Sequence, residues 1–156
     1  MDREPCISVR LFSDPKLLAP IRAFIDALSK NIGFSEKSRG LLALAVDEAL
    51  ANVIRHGYSE RTDGLIWLNI WRLSDPLGLR IVLEDLGRSV DPSLIKGRDL
   101  ADIRPGGLGV HIIKETMTES KWEARPGGGM RLTLVKLLAP EERESSSPSQ
   151  SENYTP

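Results

Sequence analysis

The sequence is poor in cysteine and has no long apolar run. Its single cysteine, Cys6, cannot form an internal disulfide, and there is no cysteine–histidine cluster that would bind zinc. The N-terminus, residues 1–5, lacks the basic and apolar regions of a signal peptide, and no apolar stretch approaches the length of a membrane span. We therefore expect a soluble, cytoplasmic protein of a reducing compartment that makes no membrane contact.

Neither sign of charge is in excess. The chain of 156 residues carries 21 Lys plus Arg against 22 Asp plus Glu, whereas a dedicated nucleic-acid binder shows a basic surplus. We expect no direct contact with nucleic acid. The length suits one domain with a substantial core, predicted over residues 1–139. Residues 140–156 are rich in Glu, Ser, Pro, Gln and Asn, which predicts a disordered polar tail.

Hydrophobic periodicity predicts the element order β-α-α-β-β-α-β-β. Asp14 is the expected cap of the first helix, with Pro15 at its first position. Hairpins mixed with helices on one face indicate an α+β two-layer sandwich with a mixed, mostly antiparallel sheet. The predicted segments are a strand at 7–12, helices at 14–33 and 35–57, strands at 65–73 and 79–85 joined by a turn at 75–78, a helix at 110–117, and strands at 121–124 and 130–138.

The phase of the predicted strands assigns two faces to the sheet. The face towards the helices receives six apolar residues: Leu68, Ile70, Ile81, Leu83, Leu132 and Leu134. The opposite face carries charged residues and two tryptophans: Arg10, Arg80, Glu84, Arg131, Trp67 and Trp71. Large aromatic side chains are favoured at protein contacts. Trp67 and Trp71 therefore mark either a subunit or partner contact, or positions that a neighbouring side chain or loop covers.

One predicted helix carries a polar stripe. Residues 41–54 are apolar almost all round, so this helix must be largely buried. Glu48, Asn52 and His56 are spaced four residues apart and share one helix face. Burying polar groups without partners costs on the order of 1–3 kcal/mol each. The stripe therefore faces either a cleft that holds something polar or, by chance, a solvent edge.

Two further segments combine glycine with polar groups. Asp85 ends a strand, where its carboxylate could accept a hydrogen bond from an exocyclic amine such as that of adenine, and Gly87 would let a flat base approach the main chain. The same pattern is common in simple turns. Glycines at 106, 107 and 109 precede a helix, where N–H groups and the helix dipole favour anionic oxygens. The glycines at 127–129 lie between two strands and predict a hairpin turn without a ligand role.

In combination and in this order, the three segments resemble the motifs of the GHKL ATP-binding superfamily, which includes gyrase and the histidine kinases. The matching motifs are Glu48-x3-Asn52-x3-His56-Gly57, Asp85-x-Gly87 and Gly106-Gly-Leu-Gly109. Residues 47–58 look closer still to one branch, the small bacterial anti-sigma factor serine kinases. The resemblance covers about residues 6–138.

The resemblance implies a GHKL-type fold that binds ATP or ADP with Mg²⁺. Asn52 would coordinate the Mg²⁺, and Glu48 would be the catalytic general base towards an attacking hydroxyl group. Asp85 would bind the adenine amine, with Gly87 beside the ring. The remaining nucleotide-binding residues would be Arg104, Gly106, Gly107, Leu108, Gly109 and Val110, with 92–105 as a lid.

Three basic side chains near these motifs keep open assignments. His56 is expected to cap the end of the helix beside Gly57, where the dipole favours it. Lys96 and Arg98 either neutralise terminal-phosphate charge or belong to a solvated loop.

By the same resemblance, the chain would be a protein serine/threonine kinase that phosphorylates an anti-anti-sigma (STAS-like) partner. It would also sequester a sigma factor and thereby regulate transcription, as a homodimer. Two alternatives stay open: a non-catalytic ATP-binding or partner-switching module, and a stand-alone ATPase of the same fold. The presence of both Glu48 and Asn52 favours transfer, because a pure binder needs no base.

Overall fold

The computed structural model describes residues 4–96 and 107–145. Short 3₁₀ turns at 15–17 and 92–94 precede α1 and follow β3. No helix within the two described ranges is long and apolar enough to cross a membrane. The strands and helices, in chain order, are β1 Ile7–Phe12, α1 Leu18–Ile32, α2 Glu36–Asn52, β2 Leu65–Ser74, β3 Leu77–Asp85, α3 Leu108–Thr116, β4 Glu119–Ala124, β5 Met130–Leu137 and α4 Pro140–Ser145.

The five strands form one sheet in the order β1-β2-β3-β5-β4. The predicted α+β architecture is confirmed, and the sheet is more uniform than the mixed, mostly antiparallel one expected, since each of its four pairings is antiparallel. The turn predicted at 75–78 is shorter, because Leu77 and Gly78 already pair with β2. Asp85 pairs with Ile66 and is the last residue of β3. It therefore lies where the central strand leaves the sheet.

One face of the sheet is buried beneath the helices. The six inward residues predicted from strand phase, from Leu68 to Leu134, are all between 0% and 6% exposed. They share one apolar cluster with Leu50 of α2 and Ile113 of α3. This cluster seats α2 and α3 against the sheet, and so places the helix that carries Glu48 and Asn52 over the end of β3.

The open face of the sheet holds the two tryptophans beneath cationic side chains. The Arg80 guanidinium lies 4.8 Å from the centroid of the Trp71 ring, and the Arg125 guanidinium lies 5.9 Å from that of Trp67. Both distances fall in the range of cation–π contacts. Neighbouring side chains therefore cover both rings in part, which is one of the two alternatives predicted for them.

The helix starts follow their capping residues. The Asp14 carboxylate accepts a hydrogen bond from the Lys16 N–H at 2.9 Å, at the start of the 3₁₀ turn that leads into α1. The Ser35 hydroxyl accepts one from the Ser38 N–H at 3.2 Å and begins α2. Both predicted starts are confirmed. α3 begins at Leu108 rather than at the predicted residue 110, with Gly107 as its N-cap in the left-handed region at φ +80°.

The end of α2 departs from the regular helix that the sequence predicted. After Asn52 the chain forms a π-helical turn, Val53–Gly57, closed by a 3.0 Å hydrogen bond from the Tyr58 N–H to the Val53 carbonyl. A π turn has more residues per turn than an α-helix. His56 therefore lies in a wider turn than the regular α-helix predicted for it.

Disorder from residue 140 onward is wrong for the first six residues, which form α4, Pro140–Ser145. Glu142 anchors this helix, since its Oε1 accepts hydrogen bonds from the Ser35 N–H at 3.0 Å and from the Ser35 hydroxyl, and its Oε2 accepts one from the Ala139 N–H at 2.8 Å. A polar composition predicts disorder only where no partner is available, and here the start of α2 supplies one. The expectation for 146–156 lies outside the described residues.

The hydrogen bonds that anchor α4 also lower the pKa of Glu142. Burial would raise it, but the hydrogen bonds from Ser35, Ser38 and Ala139 outweigh burial and hold the pKa at about 2, below its ordinary value of 4.5. Because the pKa is depressed in the folded state, the carboxylate stabilises the protein above about pH 4.5 and loses this contribution as the pH falls towards 2.

We expect Glu142→Gln to destabilise the protein at pH 7 by about 1.5–3 kcal/mol, the usual size of hydrogen bonds to a charged group. The difference from the wild type should shrink at pH 3, where the wild-type contribution is partly lost. Urea unfolding at both pH values measures this, with Glu141→Gln, an exposed neighbour on α4, as the control. Equal stability of the Glu142 and Glu141 variants at pH 7 would contradict the anchoring role.

Candidate nucleotide site

A cavity of about 450 Å³ opens between the end of α2, the end of β3 and the start of α3. Its volume lies within the roughly 300–1,000 Å³ typical of small-molecule sites. Five polar side chains line it: Asn52, His56, Asp85, Arg88 and Lys96. Its apolar lining comes from Ala49, Val53, Leu83, Val90, Leu94, Ile95, Val110, Trp122, Met130 and Leu132. An apolar cavity with a few polar groups suits a ligand that has both a flat apolar part and a charged part.

Asp85 is the buried acid of this cavity, only 2% exposed. Its Oδ1 accepts hydrogen bonds from the Gly87 N–H at 2.8 Å and, more weakly, from the Met130 N–H at 3.4 Å. Its Oδ2 has no hydrogen-bond partner within 4–96 and 107–145. One oxygen is therefore held by the main chain, and the other can accept from a ligand.

Burial dominates the electrostatics of Asp85. It raises the pKa of the carboxyl group above its ordinary value, although hydrogen bonds from Gly87 and Met130 and the charge of Arg125 act in the opposite direction. Burial disfavours the charged form because the carboxylate loses water. A ligand that donates a hydrogen bond to Asp85 would replace part of that lost solvation.

Glu48 lies against the first turn of α3. It is half-buried, and a methyl group placed on Gly109 would come within 2.5 Å of its Oε2. Because residue 109 has no side chain, the α3 main chain can pack directly against the Glu48 carboxylate. Neither Gly109 nor Glu48 lines the cavity, whereas Ala49, next to Glu48 on α2, does. The predicted phosphate contact of Gly109 thus has a structural alternative in its contact with Glu48.

Asn52 and His56 both line the cavity. Asn52 is half-buried, and its amide makes no hydrogen bond to any other residue that the structure describes. His56 is exposed and lies in the last turn of the helix, where a capping role was predicted. The structure therefore brings Asn52 and Asp85 to one cavity from segments about thirty residues apart in the sequence.

The glycine segment contributes Gly107 and Val110 to the cavity, at the start of α3. The main-chain N–H groups of this first turn are the orphan donors of the helix, which favour anions. Leu108 does not line the cavity and is 55% exposed. Lys96 does line it. The predictions for Arg98, Arg104 and Gly106, and for most of the 92–105 lid, lie outside the described residues.

Gly87 does not line the cavity, and its lack of a side chain has a different reason from the one predicted. A Cβ at this position would lie 2.4 Å from the Gly57 carbonyl oxygen. The same carbonyl accepts a 2.8 Å hydrogen bond from the Arg88 N–H. The segment after β3 is therefore packed directly on the end of the π turn, which joins the first two sequence motifs.

Two residues that support the site, Tyr58 and Arg125, were not predicted from the sequence. The Tyr58 hydroxyl donates to the Leu65 carbonyl and accepts a 2.9 Å hydrogen bond from the Leu86 N–H, which fixes the residue after Asp85. Arg125 Nη1 donates to the Asp85 carbonyl at 2.6 Å. The position of Tyr58 directly after the first motif could have indicated a role, but nothing in the sequence connects Arg125 with Asp85.

Comparison with known proteins defines the class. Residues 11–136 match the model of the histidine kinase-like ATPase domain, and because this match covers most of the chain, the protein belongs to that family. The resemblance drawn from the three motifs is thereby confirmed.

Its curated relatives within the class are bacterial serine-protein kinases. The chain is 26% identical over 144 residues to the serine-protein kinase RsbW of Oceanobacillus iheyensis, a match that covers 87% of this chain and 89% of that protein. It is 28% identical over 123 residues to the RsbW of Listeria monocytogenes, with 74% and 77% covered. It is 25% identical over 149 residues to the RsbW of Staphylococcus aureus, with 90% and 91% covered.

Solved structures with the same fold include two of the blue-light activated histidine kinase of Erythrobacter litoralis. Its histidine kinase domain superimposes with a TM-score of 0.54 at 21% identity, covering 83% of this chain and 63% of that one. The longer protein gives a TM-score of 0.57 at 21% identity and covers 81% of this chain and 43% of its own. At this identity the likeness establishes the fold alone.

We expect Gly87→Ala to destabilise the protein by about 1–3 kcal/mol, the usual cost of overpacking, because the added methyl group meets the Gly57 main chain. Gly40→Ala is the matched control, since a Cβ there meets nothing within 4 Å and alanine is favoured over glycine in a helix by up to about 1 kcal/mol. Urea unfolding of the two variants distinguishes them. If Gly87→Ala were as stable as the wild type, the close packing of the two motifs would be wrong.

Proposed function

We propose that this protein is an ATP-dependent serine/threonine kinase that acts on an anti-anti-sigma (STAS-like) partner. The proposal rests chiefly on one arrangement: a buried acid with one unbonded oxygen, an amide and the start of a helix line a single cavity. The similarity to serine-protein kinases supports transfer of phosphate to a serine hydroxyl group. Separate residues would bind the adenine base, hold the phosphates and activate the reacting hydroxyl group.

Asp85 recognises the adenine base in this proposal. Its Oδ1 is occupied by two main-chain donors, so Oδ2 would accept a hydrogen bond from the exocyclic amine. The apolar side chains around it, such as Val53 and Leu83, suit the faces of the ring. A carboxylate rejects a base that presents only an acceptor at this position, because two acceptors would then face each other without a proton.

The start of α3 and Asn52 would hold the phosphates. Gly107 and Val110 at the start of α3 line the cavity, so the main-chain N–H groups of this turn are the proposed phosphate donors, and the exposed Lys96 would add a positive charge. The Asn52 amide oxygen is a hard oxygen ligand of the type that Mg²⁺ prefers together with phosphate oxygens and water. When bound, Mg²⁺ would neutralise part of the phosphate charge that transfer requires.

Glu48 would act as general base. Its contact with α3, one helical turn before Asn52, supports this role, because the first turn of α3 is the proposed phosphate site. It would accept the proton of the serine hydroxyl group as the oxygen of that group bonds to the terminal phosphorus, while the bond between this phosphorus and the bridging oxygen of ADP breaks. Asn52 and the α3 turn would keep these groups in line, and positioning is the main requirement of phosphoryl transfer.

The proposal for the protein partners rests on the similarity to RsbW kinases and not on the geometry of the site. We propose that the chain also sequesters a sigma factor and works as a homodimer. The exposed part of the sheet around Trp67 and Trp71, which Arg125 and Arg80 cover in part, is one candidate for such a contact. The homodimer and the sigma factor stay predictions.

We expect Glu48→Gln to reduce transfer to serine by about 10²–10⁴, the usual size of positioned proton transfer, while ATP affinity stays near that of the wild type. Labelled ATP with a purified STAS-like protein measures transfer, and calorimetry measures binding. Asp47→Asn is the matched control, because Asp47 is the neighbouring carboxylate and forms an ion pair with Arg22 at 3.2 Å instead.

The products of the wild type separate the three functions considered. Labelled phosphoprotein supports the kinase, inorganic phosphate alone supports a stand-alone ATPase, and bound ATP without either product supports a binding module. Transfer by Glu48→Gln at the rate of Asp47→Asn would show that Glu48 is not the base.

We expect Asn52→Ala to lose most of the gain in ATP affinity that Mg²⁺ provides, on the order of tenfold or more for the loss of one charge-assisted contact. Calorimetry of ATP binding with Mg²⁺ and with EDTA measures this gain in the wild type and the variant. In EDTA the two proteins should bind ATP alike. An unchanged Mg²⁺ dependence in Asn52→Ala would exclude the metal role.

A further inference from the structure

The Arg125 side chain reaches from the hairpin between β4 and β5 to the strand that carries Asp85. Its Nη1 donates a hydrogen bond of 2.6 Å to the Asp85 main-chain carbonyl. The side chain is 26% exposed, so this bond is partly shielded from water. A short bond from a guanidinium group is among the stronger hydrogen bonds in proteins. Arg125 therefore fixes the main chain at the residue proposed to recognise adenine.

The main chain of Arg125 supports Asp85 a second time. Its N–H donates to the Gly129 carbonyl at 3.0 Å, and its carbonyl accepts from the Gly128 N–H at 3.1 Å, which closes the hairpin turn. Met130, which follows Gly129, donates its N–H to Asp85 Oδ1 at 3.4 Å. The turn that Arg125 closes thus presents one of the two donors that orient the carboxylate.

The guanidinium group is itself held from the open face of the sheet. Its Nε lies 3.4 Å from Glu84 Oε1, and its carbon lies 5.9 Å from the centroid of the Trp67 ring. Glu84 directly precedes Asp85 on β3, and its side chain points to the opposite face. These two contacts hold the group in one place and leave Nη1 directed at the Asp85 carbonyl.

We infer that Arg125 is the positioning residue for base recognition: it holds Asp85 so that Oδ2 meets the exocyclic amine of adenine. This inference rests on the proposed function of Asp85. Arg125 does not line the cavity and does not touch the base. Its removal should therefore reduce the preference for a base that carries the amine more than it reduces the binding of phosphates.

The test compares ATP with purine riboside triphosphate, which lacks the exocyclic amine, by calorimetry on the full chain. We expect the wild type to prefer ATP, and Arg125→Met, which keeps a long side chain but no donor, to lose up to about tenfold of this preference, the worth of one hydrogen bond. Arg125→Lys should recover part of it, because one ammonium group can still donate to the carbonyl.

Arg131→Met is the matched control. Arg131 contacts the same Glu84 Oε1, at 2.8 Å, and lies on the same face of the sheet, but within the described residues it makes no hydrogen bond to Asp85. Its variant should keep the wild-type preference. A general loss of stability at this edge of the sheet would lower the affinity for both nucleotides without changing their ratio.

The outcomes separate this inference from the function on which it rests. If the wild type binds neither nucleotide, the proposed function fails. If the wild type prefers ATP and Arg125→Met prefers it equally, only the role of Arg125 is overturned. Should Arg125→Met not fold, Arg125→Lys decides: a preference below that of the wild type supports positioning, and an unchanged preference overturns it.

Discussion

The buried carboxylate of Asp85 is the constraint on which the site depends. A charge removed from water is costly unless donors replace the lost solvation. Here the donors are the main-chain N–H groups of Gly87 and Met130. Arg125 also donates a hydrogen bond to the main-chain carbonyl of Asp85. They belong to two segments about forty residues apart in the sequence. Solvating this one group therefore requires that the end of β3 and the last hairpin meet, which defines one wall of the cavity.

The second wall depends on how α2 ends. The π turn carries the Gly57 carbonyl into contact with Gly87 and the Arg88 N–H, and Tyr58 holds the Leu86 N–H. These contacts join the helix that bears Glu48 and Asn52 to the strand that bears Asp85. The apolar cluster beneath α2 and α3 supplies the energy of association, whereas the polar contacts determine which groups face the cavity. The packed core thus brings the motifs together, and hydrogen bonds set their orientation.

Much of the fold could be predicted from local patterns. Strand phase identified Ile81 and Leu83 as inward residues, because side chains alternate between the two faces of a sheet. Asp14 and Ser35 marked helix starts, because short polar side chains satisfy the first N–H groups. The predictions were wrong where a contact with a residue distant in the sequence determines the local structure. Glu142 orders six residues of apparently disordered composition by bonding to Ser35, and that pairing leaves no local trace in the sequence.

For this protein, the sequence by itself determined the family, the order of the elements and the candidate residues Glu48, Asn52 and Asp85, since motif spacing and periodicity are local properties of the chain. Only the tertiary structure decided that Gly87 accommodates the Gly57 carbonyl, that Gly109 lies against Glu48 and that Arg125 supports Asp85. Each of these contacts joins separate segments. Which side chain meets which main-chain group depends on the way the core packs, and this is fixed only when all segments are folded together.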